Sequence, residues 1–317
     1  MSLNLTSGLW IDEPDALDEL ERRVDDGSIE IGKADRLRRF VLDGYVSFPL
    51  TVDSSVIESL STSYDGLWQA RDSGLAYAFD GPPRRFEVAE EGRERLPGYR
   101  IHDPHSHLDA AKTLYLHPEI HEFARDIFDE EVVAIQSLLF EYGSEQTIHR
   151  DPITVPTGKP LHLFAAWIAL EEITEECGPL LYVPRSHRLP YYEFEPGKYM
   201  FDESTMGAAE IERGLAFYHA EFEKRGLQPE TNTARRGEVL FWHPSLFHGG
   251  APVSDPTQTR KSFVVHLTSR SSYPERSITI REPDESGTER SRVLATTETE
   301  EQNGRFGFHN PMSGRVR

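Results

Sequence analysis

The chain has 317 residues and a mass of 36.1 kDa, enough for one large domain or two small ones around a sizeable core. Its formal net charge of -20 repels nucleic acid and anionic membrane surfaces, so neither is expected as a partner. A hydrophobic content of 37% without the run of about 18 apolar residues a membrane span needs, and a lone Cys177, exclude a transmembrane segment, an intrachain disulfide and a multi-cysteine metal site.

The start, Met1-Ser2-Leu3-Asn4-Leu5, has no basic region and no long apolar stretch, so no signal peptide is expected and the expected location is cytoplasmic. Asp12-Glu13-Pro14 predicts a helix start, with Leu17, Leu20 and Val24 on one face and Gly27 as its stop. A second helix is predicted over 33–43, with Leu37, Phe40 and Val41 inward and Asp43-Gly44 ending it. A strand is expected over 45–48. A third helix begins near Asp53-Ser54, with Ile57, Leu60, Tyr64 and Leu67 at helical spacing. Residues 70–115 read as a surface loop with a turn at Gly81-Pro82-Pro83-Arg84-Arg85. Its Arg84, Arg85, Arg100, His102, His105 and His107 lack ligand spacing and are candidates for the rim of a substrate entrance. An amphipathic helix follows over 118–129, burying Ile120, Phe123, Ala124 and Ile127.

From 132 to 267 the chain is mostly short apolar runs separated by Gly, Pro and polar clusters, which predicts antiparallel strands in a sandwich or jelly roll. In the first of these, alternation places Gln136, Leu138, Phe140 and Tyr142 on one face; Gln136 is either a satisfied core amide or a hydrogen-bonding group in a pocket. Further strands are expected over 163–170 and 180–183. The stretch 191–236 interrupts them with the aromatics Tyr191, Tyr192, Phe194, Tyr199 and Phe201, then a helix with Ile211, Leu215, Tyr218 and Phe222 on one face. A long insertion between strands of a catalytic barrel is expected to serve as a lid. After Ser269 the composition turns polar, and 271–317 reads as a tail near the disordered range, tethered by Phe306, Phe308 and Met312.

Two short stretches carry the chemistry. In extended backbone, residues i and i+2 point the same way, so His149 and Asp151 can grip one ion while Arg150 faces elsewhere. His248 follows the buried run Val239-Leu240-Phe241-Trp242 and arrives from a different strand. Two imidazoles and one carboxylate hold one face of a six-coordinate Fe(II) and leave three positions open for a co-substrate and dioxygen. Past a turn-rich segment, alternation from Arg260 puts Arg260, Ser262, Val264 and His266 on one face and Phe263, Val265 and Leu267 on the other. A planar guanidinium beside the Ser262 hydroxyl suits a bidentate grip on a carboxylate. With 13 histidines in the chain a His-x-Asp triplet is cheap, and a second one stands at His107-Leu108-Asp109. That one lies in a polar loop before Ala110-Ala111-Lys112, with Asp109 read as a helix N-cap, and is set aside.

The ordered set His149-x-Asp151, Trp167-Ile168-Ala169-Leu170-Glu171-Glu172, Gly178-Pro179-Leu180, Val183-Pro184-Arg185-Ser186-His187, Phe247-His248-Gly249-Gly250 and Thr259-Arg260-Lys261-Ser262 resembles the phytanoyl-CoA dioxygenase family of non-haem Fe(II)- and 2-oxoglutarate-dependent oxygenases. The resemblance covers about 35–270. It implies a mainly β fold with flanking helices and a double-stranded β-helix (jelly-roll, cupin-like) core. It also implies His149, Asp151 and His248 as iron ligands, Arg260 on the distal carboxylate of 2-oxoglutarate, and Trp167 lining the cofactor pocket. Ser262 and Gln136 join them as cofactor-binding candidates. The chain departs from the family pattern at Arg185, usually Gly, and at Cys177, often Asn.

The expectation is therefore a single catalytic domain: a mostly helical part over 1–130, the β core over 131–270 with 191–236 as lid, and the polar tail. Its expected function is hydroxylation of a small-molecule substrate using Fe(II), 2-oxoglutarate and O2, with release of succinate and CO2. A cupin-type isomerase on the same triad, a non-catalytic relative that binds 2-oxoglutarate or another ligand, and a plain β-sandwich interaction module are the alternatives.

Overall fold

The computed structural model describes residues 7–69, 76–79, 86–88, 97–151, 157–159, 161–194, 199, 207–273, 276–283, 289–296 and 299–308. The strands, in chain order, are β1 (Tyr45–Pro49), β2 (Ala76–Phe79), β3 (Phe86–Val88), β4 (Tyr99–His102), β5 (Val132–Phe140), β6 (Phe164–Ala169), β7 (Leu180–Tyr182), β8 (Glu230–Asn232), β9 (Glu238–Trp242), β10 (His248–Gly250), β11 (Ser262–Ser269), β12 (Arg276–Pro283), β13 (Glu289–Thr296), β14 (Thr299–Gln302) and β15 (Arg305–Phe308). The helices are α1 (Ala16–Asp25), α2 (Ile31–Asp43), α3 (Ser54–Thr62), α4 (Tyr64–Gln69), α5 (Asp109–Tyr115), α6 (Pro118–Phe128) and α7 (Ala208–Arg225). No helix among the described residues is long and apolar enough to cross a membrane.

Local chemistry sets the helix ends. Gly44 closes α2 at φ 80, the left-handed conformation that costs glycine nothing, and the Asp53 side chain accepts from Ser55 N to start α3. Asp109 is the first residue of α5 rather than its cap, because Leu108 takes the cap position.

A ten-stranded sheet runs in the order β1-β9-β6-β11-β5-β4-β2-β3, with β15 added parallel to β5 and β14 beside it. A second sheet of three strands runs β10-β7-β8, and an isolated bridge joins His149 to His248 at its edge. The large sheet buries both faces. Ala166, Ile168, Val239, Phe241, Phe263, Val265 and Leu267 pack outward into a core shared with the helices. Leu138, Phe140, Ala165, Trp167, Leu240, Trp242 and Val264 point the other way and meet Leu180 and Tyr182 of the small sheet. Period-two alternation along each strand thus sorts one face to the helical layer and one to the space between the sheets.

Two further expectations are corrected. The 70–115 stretch contains β2, β3, β4 and α5: its strands extend the large sheet beyond β5, with Arg100 opposite Phe140 and His102 opposite Leu138. Hydrophobic patterning misses this because the pocket-side residues of β4 are polar. The region after Ser269 is not simply a polar tail, since β12 pairs β13 and β15 joins β5, with Phe306 opposite Val133 and packed beside Ile135 and Leu163. Arg84, Arg85, Phe201 and Met312, and Thr297-Glu298 of the polar run, lie outside the described residues.

Arg185, where the family pattern has glycine, sits at φ 68 in the left-handed region with its side chain exposed. That conformation costs a residue with a Cβ about 1–2 kcal/mol, while glycine's looser unfolded state gives back about 0.4–1. Arg185→Gly is therefore expected to raise the melting temperature slightly and leave ligand binding unchanged, as differential scanning calorimetry would report. A clear fall in Tm would show that the Arg185 side chain contributes more than its backbone strain.

Candidate metal centre

The bridge between His149 and His248 is a reciprocal hydrogen-bonded pair: His149 N donates to His248 O at 2.8 Å and His248 N donates to His149 O at 3.0 Å. Residues so paired stand directly across from one another with side chains on one face, and the two imidazole centroids lie 4.6 Å apart. Asp151, two residues on, is tied by its N–H to Pro244 O at 3.2 Å and returns to that face. Coordinating atoms of His149, Asp151 and His248 all fall within 4.8 Å of one another, the one such metal-compatible group among the described residues.

Each imidazole is oriented by the backbone. His149 Nδ1 lies 2.8 Å from Thr147 O, and His248 Nδ1 lies 3.0 Å from Leu246 O. A carbonyl only accepts, so Nδ1 carries the proton in both rings and the Nε2 lone pair is left as the coordinating group. Asp151 accepts from Trp242 Nε1 through Oδ2 at 2.6 Å, and its Oδ1 lies 3.3 Å from His248 Nε2. Ligands about 2.1 Å from one ion stand roughly 3 Å apart when their bonds meet at right angles, so this spacing suits adjacent positions on one ion. Burial acts to raise the Asp151 pKa, yet the fields of His248, His266 and His149 and the His248 hydrogen bond hold it far below the carboxylate range. Burial likewise acts to lower His248, and the Asp151 charge and hydrogen bond overcome it and raise it.

Trp242 is the feature that spacing alone does not single out. It reads as one more apolar strand residue, although a buried indole N–H demands an acceptor and alternation puts Trp242 on the pocket side with Leu240. Trp242→Phe is expected to leave the fold intact and weaken divalent-metal binding by about 10- to 100-fold, the usual effect of losing an orienting partner. Isothermal titration with Fe(II) under anaerobic conditions checks this, and unchanged affinity would remove Trp242 from the site.

Arg260 is 2% exposed; its N–H donates to Glu141 O at 2.8 Å and its Nη1 donates to Ser262 Oγ at 2.7 Å. The guanidinium carbon lies 5.3 Å from the Phe140 ring and 5.7 Å from the Trp167 ring. Burial lowers its pKa to about 10, against smaller opposing influences from Cys177, Tyr64 and Glu171. Arg260 Nε and Trp167 Nε1 are both buried and, among the described residues, without a hydrogen-bond partner. A buried cation and two orphaned donors at one spot fit an acceptor-rich anion such as a carboxylate. Lys261, on the opposite phase, reaches Ser61 O at 3.0 Å in the helical layer. Gln136 on β5 is half-buried opposite His266 of β11. Asp109 is the first residue of α5 and His107 stands just before it; neither belongs to the cluster of ligating atoms.

Helix α7 packs on the far side of the small sheet. Tyr218 and Phe222 stand edge-on to Phe247 at 4.8 and 5.2 Å, and Phe247 alternates against His248. The packed side of the helix runs through Gly214, whose added Cβ would strike the Phe194 ring, so Leu215 is left 46% exposed rather than inward.

The family model described as phytanoyl-CoA dioxygenase (PhyH) matches residues 40–262. The non-haem α-ketoglutarate-dependent carbocyclase SnoK from nogalamycin biosynthesis is similar at a TM-score of 0.54 and 18% identity, over 74% of this chain and 83% of that one. The epimerase SnoN, solved with Fe3+, α-ketoglutarate and nogalamycin RO, is similar at 0.53 and 18%, over 94% of this chain and 100% of that one. EctD from S. alaskensis, solved with 2-oxoglutarate and 5-hydroxyectoine, is similar at 0.54 and 19%, over 77% of each chain. Identities this low speak to the fold. No curated protein matches the chain significantly.

Proposed function

The chain belongs to the phytanoyl-CoA dioxygenase family, and from that premise we propose that it is an Fe(II)- and 2-oxoglutarate-dependent oxygenase that hydroxylates a small molecule. The observation that carries the reading is the pairing of a two-histidine, one-carboxylate cluster with a buried guanidinium that, among the described residues, lacks a carboxylate partner. We read the two sheets as a double-stranded β-helix. The four strands β9-β6-β11-β5 form its larger wall, and the His149 segment with β10-β7-β8 forms its smaller one. We take the chain as one catalytic unit.

When bound, Fe(II) supplies activation of dioxygen at the expense of 2-oxoglutarate, which leaves as succinate and CO2. His149, Asp151 and His248 would hold the ion, with both imidazoles locked in the Nε2-coordinating tautomer by Thr147 O and Leu246 O. Arg260 and Ser262 would fix the far carboxylate of 2-oxoglutarate against Trp167, with Gln136 a further hydrogen-bonding group. Leu138, Phe140, Leu240 and Val264 keep that wall dry, which strengthens the Arg260 contact. His149 is the most exposed of the three ligands, so the substrate would approach on its flank. We take the 191–236 insertion as a lid, with α7 as its anchored part.

The test is substrate-dependent succinate formation by the Fe(II)-loaded protein across small-molecule candidates, with product mass recorded. A gain of one oxygen per succinate supports hydroxylation. The epimerase and carbocyclase among the similar structures make the other outcomes concrete: succinate with unchanged product mass, or with loss of two hydrogens, would replace hydroxylation and keep the cofactors. Turnover without 2-oxoglutarate would point to a cupin-type isomerase, and tight 2-oxoglutarate binding without succinate to a ligand-binding relative.

A further inference from the structure

Arg150 stands between two of the three candidate ligands and is among the largest fully buried side chains, at 2% exposure. Among the described residues no carboxylate pairs with it. Its Nη2 donates to Ser186 O at 3.2 Å and Leu189 O at 3.1 Å, while Nε and Nη1 are buried without partners among the described residues. Three aromatic rings close round the guanidinium carbon: Tyr191 at 4.3 Å, Phe247 at 4.4 Å and Tyr218 of α7 at 5.0 Å.

Stripping a cation of water without an anionic partner is unfavourable, and a well-packed apolar side chain in such a place is often at least as stable. Stability therefore does not explain an arginine here. Connection does. Arg150 is covalently next to His149 and Asp151, and Phe247 is next to His248. Tyr191 Oη shares a 2.6 Å hydrogen bond with Ser245 Oγ, three residues before His248. Phe247 N also donates to Ser186 Oγ at 2.8 Å, so the 186–191 segment is bonded to the His248 stretch as well as, through Arg150, to the His149 stretch. One guanidinium thus clamps that segment, α7 and the two ligand stretches together.

We propose that Arg150 is a positioning residue that couples α7 and the 186–191 segment to the His149, Asp151 and His248 cluster, so that how firmly these two elements are packed sets how tightly the metal is held. The proposal rests on the metal-site reading above. Linkage makes it reciprocal: metal binding tightens α7 and the 186–191 segment, and loosening them weakens the metal.

The experiment is anaerobic titration with Fe(II) alone, together with amide hydrogen exchange and melting curves, on the full chain and four variants. Arg150→Met keeps the bulk and loses the charge and both carbonyl bonds. It should bind Fe(II) about 10- to 100-fold more weakly. Tyr218→Leu, on the half-buried side of α7 and away from the ligands, should weaken binding in the same direction. The double variant should be no weaker than Arg150→Met alone, and Arg150→Lys, which keeps the cation over the rings, should recover part of the loss. Fe(II) should slow exchange across 186–192 and 208–225 in the wild type and not in Arg150→Met. Should Arg150→Met fail to fold, Tyr218→Leu and Arg150→Lys carry the same comparison. Wild-type Fe(II) affinity in variants that only melt earlier would overturn the coupling and leave the metal site standing. A wild type that takes no Fe(II) would overturn both.

Discussion

Asp151→Ala is expected to lose Fe(II) binding and all substrate turnover while the chain still folds. The carboxylate is 4% exposed, with one oxygen 3.3 Å from His248 Nε2 and the other held by the Trp242 indole at 2.6 Å. Its removal leaves two neutral imidazoles and no charge to offset that of the ion. The loss should exceed the roughly 100-fold that removal of an orienting partner costs at most. Asp151 is a buried group and not the exposed ligand that a loop position would suggest, so stability changes too. The Trp242 N–H is left without its acceptor, at a cost of about 1–3 kcal/mol. Asp109→Ala, at the start of α5, is the control and should bind Fe(II) normally. An Asp151→Ala protein that retains wild-type Fe(II) affinity would contradict the assignment.

The second large effect is expected at Arg260. Its guanidinium is buried against Phe140 and Trp167 and donates to Ser262, and among the described residues its Nε lacks a partner. A desolvated charge pair of that kind, cut on one side, loses about 2–5 kcal/mol, which is roughly 30-fold or more in the apparent Kd of 2-oxoglutarate. Fe(II) binding should change little, because Arg260 lies outside the cluster of ligating atoms. Lys261→Ala, whose ammonium reaches Ser61 O in the helical layer, should leave 2-oxoglutarate binding at the wild-type level. The reverse pattern, with Lys261 sensitive and Arg260 silent, would show that the pocket lies on the other face of β11.

The legible parts of the site are those where period-two alternation meets a burial boundary. His149 and Asp151 are two apart, and 260–267 alternates cleanly enough to assign Arg260, Ser262 and Val264 to one face. Phe263, Val265 and Leu267 do pack into the helical core. Gly44 and Asp53 mark helix ends through chemistry that is purely local. What alternation misses is long-range. β4 places Arg100 and His102 on the same side as Phe140 and Leu138, so its inward pattern is polar and resembles a loop. β15 is ordered by parallel pairing to β5, more than a hundred residues upstream, and its own composition does not announce it. The phase of α7 is decided by Phe194 and Phe247 meeting Gly214 and Tyr218, which outweighs the intrinsic hydrophobicity of Leu215. Arg150 was legible only as facing away from the ligand side; its aromatic cage comes from three separate segments.

The most direct measurement is anaerobic calorimetric titration of the wild-type protein, first with Fe(II) and then with 2-oxoglutarate. The predicted result is a single Fe(II) per chain, followed by a single 2-oxoglutarate that binds tightly only once Fe(II) is present and only with Arg260 intact. A chain that takes up no Fe(II), or that binds 2-oxoglutarate equally well without the metal and in Arg260→Ala, would contradict the account at its centre.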